Sequence, residues 1–262
     1  MRVRHLCWVR GDRPGHCLRK TGRTGRGGGS AEMTPLVLIP GMMCDARLFG
    51  PQIDAFSGRH PITLAPINAH DTVAALAADI LTWAPQRFAM AGLSMGGIVA
   101  MEVLRQAPDR VVRLALLDTN PLAETDAVKS RREPQIGTVR AGGLRAVMRD
   151  EMKPNYLTDG PRRGAILDLC MAMAESLGPE VFIRQSRALQ TRPDQQQTLR
   201  AFSGPSLVLC GRDDALCPVH RHELMASLMP QARLEIIEDA GHLPVLEQPE
   251  QTNAALRRWL ED

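Results

Sequence analysis

Arg87-Phe88-Ala89-Met90-Ala91-Gly92-Leu93-Ser94-Met95-Gly96-Gly97-Ile98-Val99-Ala100-Met101-Glu102-Val103-Leu104-Arg105 runs an apolar stretch of buried-strand length through Gly-x-Ser-x-Gly. It leaves in a segment whose apolar residues recur at helical spacing. Strand, sharp turn, helix is the reading. A serine at such a reversal sits in strained backbone with no room for bulky neighbours two residues either side, which Gly92 and Gly96 answer. Gly97 is expected to let the helix pack closely on the strand. Ser94 then projects its hydroxyl above the sheet edge. The Met95 amide, at a helix start where backbone donors lack partners, points into the same space. A nucleophile beside one anion-stabilising donor is the chemistry this turn offers.

On the N-terminal side, Leu36-Val37-Leu38-Ile39-Pro40-Gly41 is another buried-strand run closed by Pro-Gly, followed by a loop at Met42-Met43-Cys44-Asp45. In a doubly wound sheet ligands sit beyond the carboxyl ends of the strands, so this loop and the Ser94 turn can face each other. The Met42 amide is the expected second oxyanion donor, and Gly41 lets backbone approach a ligand. Pro61–Ala65 reads as a weaker strand. Thr72–Trp83 reads as an amphipathic helix capped by Asp71 or Thr72. Val111–Leu117 is a further buried strand ending at Asp118. Strands alternating with helices of this length argue for parallel βαβ units, hence an α/β protein with a mostly parallel sheet.

Residues 121–203 break the alternation. They hold helical patterns near Thr125–Arg140, Gly143–Met152, Arg162–Leu177 and Pro179–Gln190, and no buried strand. Such an insertion is expected to lie over the carboxyl edge of the sheet as a lid. Its 13 basic against 10 acidic residues are accounted for equally by an anionic substrate and by solvated helix faces. Met148, Met152, Met171 and Met173 are expected to pack. The alternation resumes with the strand Ser206–Cys210, the loop Gly211-Arg212-Asp213-Asp214-Ala215-Leu216-Cys217-Pro218, a helix over Val219–Met229, the strand Arg233–Ile237, the loop Glu238-Asp239-Ala240-Gly241-His242, and a closing helix from Pro249.

The order Ser94, Asp214, His242, with the last two each just past a strand, completes a nucleophile, acid and base. These motifs, with Leu36–Gly41, Gly92–Gly97, Gly211-x-x-Asp214-x-x-x-Pro218 and Gly241-His242 ahead of Glu247-x-Pro249-Glu250, resemble the α/β-hydrolase superfamily across residues 33–262. The resemblance implies a doubly wound α/β-hydrolase sheet, with core at 33–120 and 204–262 and a helical lid at 121–203 inserted after the sixth family strand. It implies Ser94 as nucleophile, His242 as general base and Asp214 as the residue that holds the histidine tautomer. The Met42 and Met95 amides would form the oxyanion hole, worth about 3–4 kcal/mol per donor. Pro40 stands where relatives often carry histidine. The four-residue spacing to Pro218 favours Asp214 over the adjoining Asp213. Asp118, at a position some relatives use for the acid, is read as a turn or pocket residue.

Composition bounds the rest. At 262 residues the chain can bury a substantial core. It contains no apolar stretch of the roughly 18 residues a membrane span needs. Residues 1–32 hold 8 basic and 2 acidic residues and end in Gly27-Gly28-Gly29-Ser30. They are read as a disordered basic tail or a start placed too early. Without them the chain carries 24 basic against 27 acidic residues, so no nucleic-acid partner is expected. The six cysteines form no Cys-x-x-Cys pair, which argues against a disulfide framework or a metal site and for a reducing cytoplasm. His220, His222 and Glu223 lack a third convergent ligand and are read as surface residues. With aromatics at 3% and 13 Met, a pocket lined by aliphatic side chains and Met is expected.

These readings point to a serine hydrolase acting on a small carboxylic ester, thioester or lactone through an acyl-enzyme, without cofactor or metal. The same three side chains could serve C–C bond or peracid chemistry. A receptor that binds with little turnover is the alternative from another class. Chain length accepted and oligomeric state are not encoded legibly.

Overall fold

The computed structural model describes residues 34–261, so the 1–32 segment and the boundary at 33 fall outside the described residues. Six strands form one all-parallel sheet in the order β2-β1-β3-β4-β5-β6: β1 (Leu36–Ile39), β2 (Ile62–Leu64), β3 (Phe88–Leu93), β4 (Val111–Leu117), β5 (Ser206–Gly211) and β6 (Ala232–Ile237). Central strands β1, β3 and β5 are buried at every residue. That is why they read as unbroken apolar runs: a parallel sheet with helices on both faces offers no solvent side to a polar residue. Alternate residues feed two cores. Val37, Ile39 and Met90 join one with residues of α2 (Val73–Trp83), α3 (Met95–Gln106) and α9 (Val219–Leu228), whereas Leu36, Leu38 and Ala91 join the other with α1 (Gly50–Phe56) and α11 (Pro249–Glu261).

Between β4 and β5 stand α4 (Asp126–Arg140), α5 (Leu144–Val147), α6 (Arg163–Leu177), α7 (Pro179–Gln190) and α8 (Gln196–Ala201). Helix α9 (Val219–Leu228) links β5 to β6, and α10 (Pro244–Glu247) and α11 (Pro249–Glu261) close the chain. The helix expected over Gly143–Met152 is cut short. After α5 the chain widens into a π-helical turn at Met148–Met152 and tightens to a 3₁₀ turn at Lys153–Asn155. Pro154 lacks the N–H an α-helix needs and its ring opposes the carbonyl one turn back, so the helix unwinds ahead of it. Helix α8 has no counterpart in the sequence reading, because six residues are too few to show a period. Thr72 proves to be the cap of α2, its hydroxyl accepting from Ala75 N at 3.2 Å.

The carboxyl ends of the strands are pinned by hydrogen bonds that extend the ladders past their last residues. Ser94 N–H donates to Leu117 O, Asp118 N–H to Leu209 O and Arg212 N–H to Ile237 O, each at 2.9 Å. Helix α3 begins hard against β1, and a Cβ on Gly96 would lie 2.1 Å from the Ile39 carbonyl oxygen and 2.6 Å from that of Pro40. Gly97 is needed against a different neighbour than expected. Its Cβ would meet the Thr119 side chain at 2.7 Å, in the loop after β4 rather than the strand behind the helix. Backbone carbonyls cannot step aside as a flexible side chain can. Gly96→Ala is therefore expected to cost about 3 kcal/mol by overpacking, read as a lowered midpoint in denaturant unfolding.

Candidate functional site

Among the described residues, four other than glycine adopt positive φ: Met43 (55°), Ser94 (55°), Asp118 (44°) and Asp239 (53°). Each lies past the carboxyl end of a strand, after β1, β3, β4 and β6 respectively. Backbone strain of this kind costs about 1–3 kcal/mol per residue and is held only where surrounding structure overdetermines it. Its concentration along one rim of the sheet marks that rim. At Ser94 the constraints are visible: its carbonyl accepts from Gly97 N, Ile98 N and Thr119 Oγ1, the last at 2.7 Å.

The structure brings three of the expected residues together. His242 Nε2 lies 2.9 Å from Ser94 Oγ, and His242 Nδ1 lies 2.8 Å from Asp214 Oδ2. With Nδ1–H donating to the carboxylate, Nε2 is free to accept from the serine hydroxyl. Asp214 Oδ1 accepts from Leu216 N at 2.8 Å and Cys217 N at 2.9 Å, which fixes the carboxylate plane. Burial pushes the Asp214 carboxyl up. The His242 ring beside it and these hydrogen bonds outweigh that and hold it below its ordinary value, so it is an anion at neutral pH. Asp213 is exposed and turns away, its N–H donating to Ala240 O.

Gly41, Met42 and Met95 line the cavity beside Ser94. Among the described residues, no acceptor takes up the Met42 or Met95 amide. The strained Met43 amide next to them donates to Gln185 Oε1 at 2.8 Å, and the same buried side chain donates to Ile67 O at 2.9 Å. Helix α7 thus holds the loop after β1 in place.

Asp118 does not reach the cavity. It is buried, with Oδ1 accepting from Gly211 N at 2.9 Å. Burial, with the Asp214 charge beside it, pushes its carboxyl well above the usual range. Its Oδ2 is buried without a hydrogen-bond partner, and burial beside the Asp214 carboxylate disfavours the charged form. Of the turn and pocket roles read for Asp118, it takes the first, a buried turn position just past β4.

His222, expected at the surface, is fully buried, and its Nε2 accepts from Thr119 N at 3.1 Å. It backs the Thr119 loop that in turn bonds Ser94 O. Burial lowers its pKa to about 4, so the ring is neutral in the folded chain. The unfolded chain takes up a proton near pH 6.5, which the native ring resists until about pH 4. Its stabilisation is fully present above pH 6.5 and is lost as pH falls through that window, by about 3 kcal/mol in all. Denaturant unfolding at pH 7 and pH 4 is expected to show that much more loss in the native protein than in His222→Gln.

Glu247, quoted in the sequence only as part of a pattern, anchors the histidine loop. Its Oε2 accepts from Gly241 N at 3.0 Å and Leu243 N at 3.1 Å, while Oε1 accepts from Thr158 N at 2.9 Å and Thr158 Oγ1 at 3.1 Å. The His242 N–H also donates to Tyr156 O at 2.6 Å. The loop that carries His242 is therefore fastened to the insertion as well as to the sheet.

The cavity, of about 430 Å³, is lined near Ser94 by Leu93, Ile98, Met152, Leu189 and Leu243. Among its lining residues Tyr156 is the one Phe, Tyr or Trp. All four methionines expected to pack do so, Met148, Met171 and Met173 buried and Met152 half-buried against both cores, and Met152 also lines this space. Cys44 and Cys217 line it too, and burial pushes both thiols well up, so neither is a thiolate. Asp214, Cys217 and His242 bring three ligand-type atoms within 4.8 Å of one another. Asp214 Oδ2 and His242 Nδ1 are already engaged with each other and the thiol is protonated, a poor donor set for a metal ion. No helix among the described residues is long and apolar enough to cross a membrane.

The chain belongs to the α/β hydrolase family, whose sequence profile matches residues 4–255; it is an α/β-fold hydrolase. It is 28% identical over 191 residues to a pimeloyl-[acyl-carrier protein] methyl ester esterase of Aromatoleum aromaticum, covering 68% of this chain and 76% of that protein. Among solved structures it is similar to a thermophilic esterase from Thermogutta terrifontis, with TM-score 0.79 and 29% identity, covering 87% of this chain and 89% of that one. An enol-lactonase from Burkholderia xenovorans LB400 shares the fold, with TM-score 0.78 and 21% identity over 87% and 92% of the two chains.

Proposed function

We propose that this protein is a serine hydrolase that cleaves a carboxylic ester, thioester or lactone through an acyl-enzyme. One observation carries the reading: an unbroken relay from Ser94 Oγ through His242 to Asp214, with contacts of 2.9 and 2.8 Å. Similarity to named esterases supports the reaction class.

In this mechanism Ser94 Oγ attacks the substrate carbonyl carbon as His242 Nε2 takes its proton. The Asp214 carboxylate stabilises the imidazolium that forms. The tetrahedral oxyanion accepts hydrogen bonds from the Met42 and Met95 amides, which have no competing acceptor among the described residues. Collapse breaks the C–O or C–S bond, and the leaving alcohol or thiol takes the proton from Nε2. Water then repeats the sequence on the acyl-enzyme and frees Ser94. Residues 121–203 serve as the lid, since Val128, Met152, Tyr156 and Leu189 all line the cavity over Ser94. The setting we assign is cytoplasmic, where the buried cysteines stay thiols. A fluorophosphonate probe is expected to label the protein at Ser94 and abolish turnover of p-nitrophenyl acetate. Absence of labelling with retained turnover would remove the serine mechanism.

A further inference from the structure

The cavity that holds Ser94 is also lined by Arg131, Arg132, Arg192 and Arg221, with Glu124 the sole carboxylate among its lining residues. These guanidinium groups come from three places: α4, the turn after α7, and α9. Glu124 is spent on one of them. Its oxygens accept from Arg132 Nε at 3.1 and 2.9 Å and from Arg132 Nη2, a bidentate pairing. Arg192 stands farther off, with Nη1 at 3.8 Å from the same carboxylate, and its Nε donates to Leu122 O at 3.0 Å. Its side chain is only 10% exposed, and burial lowers its pKa, as befits a cation without full compensation. Arg131 and Arg221 have no side-chain hydrogen bond or ion pair among the described residues. One wall of the cavity therefore carries a surplus of three positive charges, Arg131 at its exposed rim.

Leaving guanidinium groups unmatched in a partly enclosed site is unfavourable, and their planar donor forks suit a carboxylate or phosphate. Building on the serine-hydrolase reading, we propose that the substrate carries a second, anionic group of the carboxylate or phosphate type, held by Arg131, Arg192 and Arg221 while its ester carbonyl lies at Ser94. The apolar residues between take the connecting chain. Two of the three surplus charges, those of Arg131 and Arg192, come from the insertion and the third, Arg221, from α9, and the arginines set specificity.

Monomethyl adipate and dimethyl adipate have the same length and the same scissile bond but differ in one charge. The monoester is expected to show at least about a tenfold higher kcat/KM, the range of a charge-assisted hydrogen-bonded pair, and the advantage should shrink as NaCl is raised. Arg221→Met and Arg131→Met should each reduce the monoester-to-diester ratio by about fivefold or more, with Arg221→Lys restoring part of it. Adipate and inorganic phosphate, added separately during turnover of the neutral diester, identify the anion: tighter competition by adipate assigns a carboxylate, tighter competition by phosphate a phosphate. A ratio near one together with no competition by either anion below about 10 mM would overturn the proposal. Because the diester is neutral, its Ser94-dependent hydrolysis in that case would leave the serine-hydrolase reading standing. Loss of diester turnover and of fluorophosphonate labelling together would instead remove the reading beneath it.

Discussion

Ser94→Ala is expected to lower kcat/KM for a short-chain p-nitrophenyl ester by on the order of 10⁴- to 10⁶-fold, leaving only the rate due to binding and the oxyanion donors. The magnitude follows from the geometry, because no other hydroxyl lies within hydrogen-bond reach of His242 Nε2 among the described residues. The fold should be little affected. The serine side chain makes one hydrogen bond, to His242, whereas the Ser94 backbone is held by Leu117, Gly97, Ile98 and Thr119. Thermal unfolding within about 1 kcal/mol of the native protein is the accompanying expectation. His242→Ala should lose a similar factor, and the double variant should be little worse than either, since parts of one relay fail together. Activity that survives Ser94→Ala would refute the assignment; additive losses would separate the serine from the histidine.

The strands were legible because β1, β3 and β5 are buried at every residue and β4 carries only one polar residue, Arg113, so each shows a long apolar run. β6 is an edge strand with partly exposed residues, and its apolar signal is correspondingly weaker. The Gly-x-Ser-x-Gly turn was legible for a steric reason: at Gly96 a side chain would collide with β1 carbonyls, so the sequence records the contact. What escaped the sequence were contacts made by ordinary residues far apart in the chain. Gln185 could not be distinguished from any other helix glutamine until its bonds to Met43 and Ile67 were known. His222 reads as polar and therefore exposed, yet it is buried because it accepts a backbone N–H from a loop 103 residues away. The arginines failed to stand out for a related reason. A count over residues 121–203 includes Arg145, Arg149 and Arg187, which are paired with nearby acids at the surface; only folding sorts them from those that face Ser94.

Two buried aspartates stand behind His242, and substituting them separately should produce very different losses. Asp214→Asn is expected to reduce kcat/KM by about 10⁴-fold, because an amide either loses the charge that stabilises the imidazolium or turns its NH₂ toward Nδ1 and imposes the wrong tautomer. Asp118→Asn should cost less than about tenfold. Burial beside the Asp214 carboxylate disfavours the charged form of Asp118, so the amide puts a neutral group of nearly the same shape in its place, and its oxygen can still accept from Gly211 N. Asp118→Ala removes that bond and leaves the buried Gly211 amide short of a partner, so it should lose more than the asparagine variant in stability and activity alike. The comparison discriminates between the two strand ends at which an acid can stand. If Asp118→Asn were the variant that lost four orders of magnitude, the anion would belong at the end of β4, and Asp214 would be the neutral member of the pair.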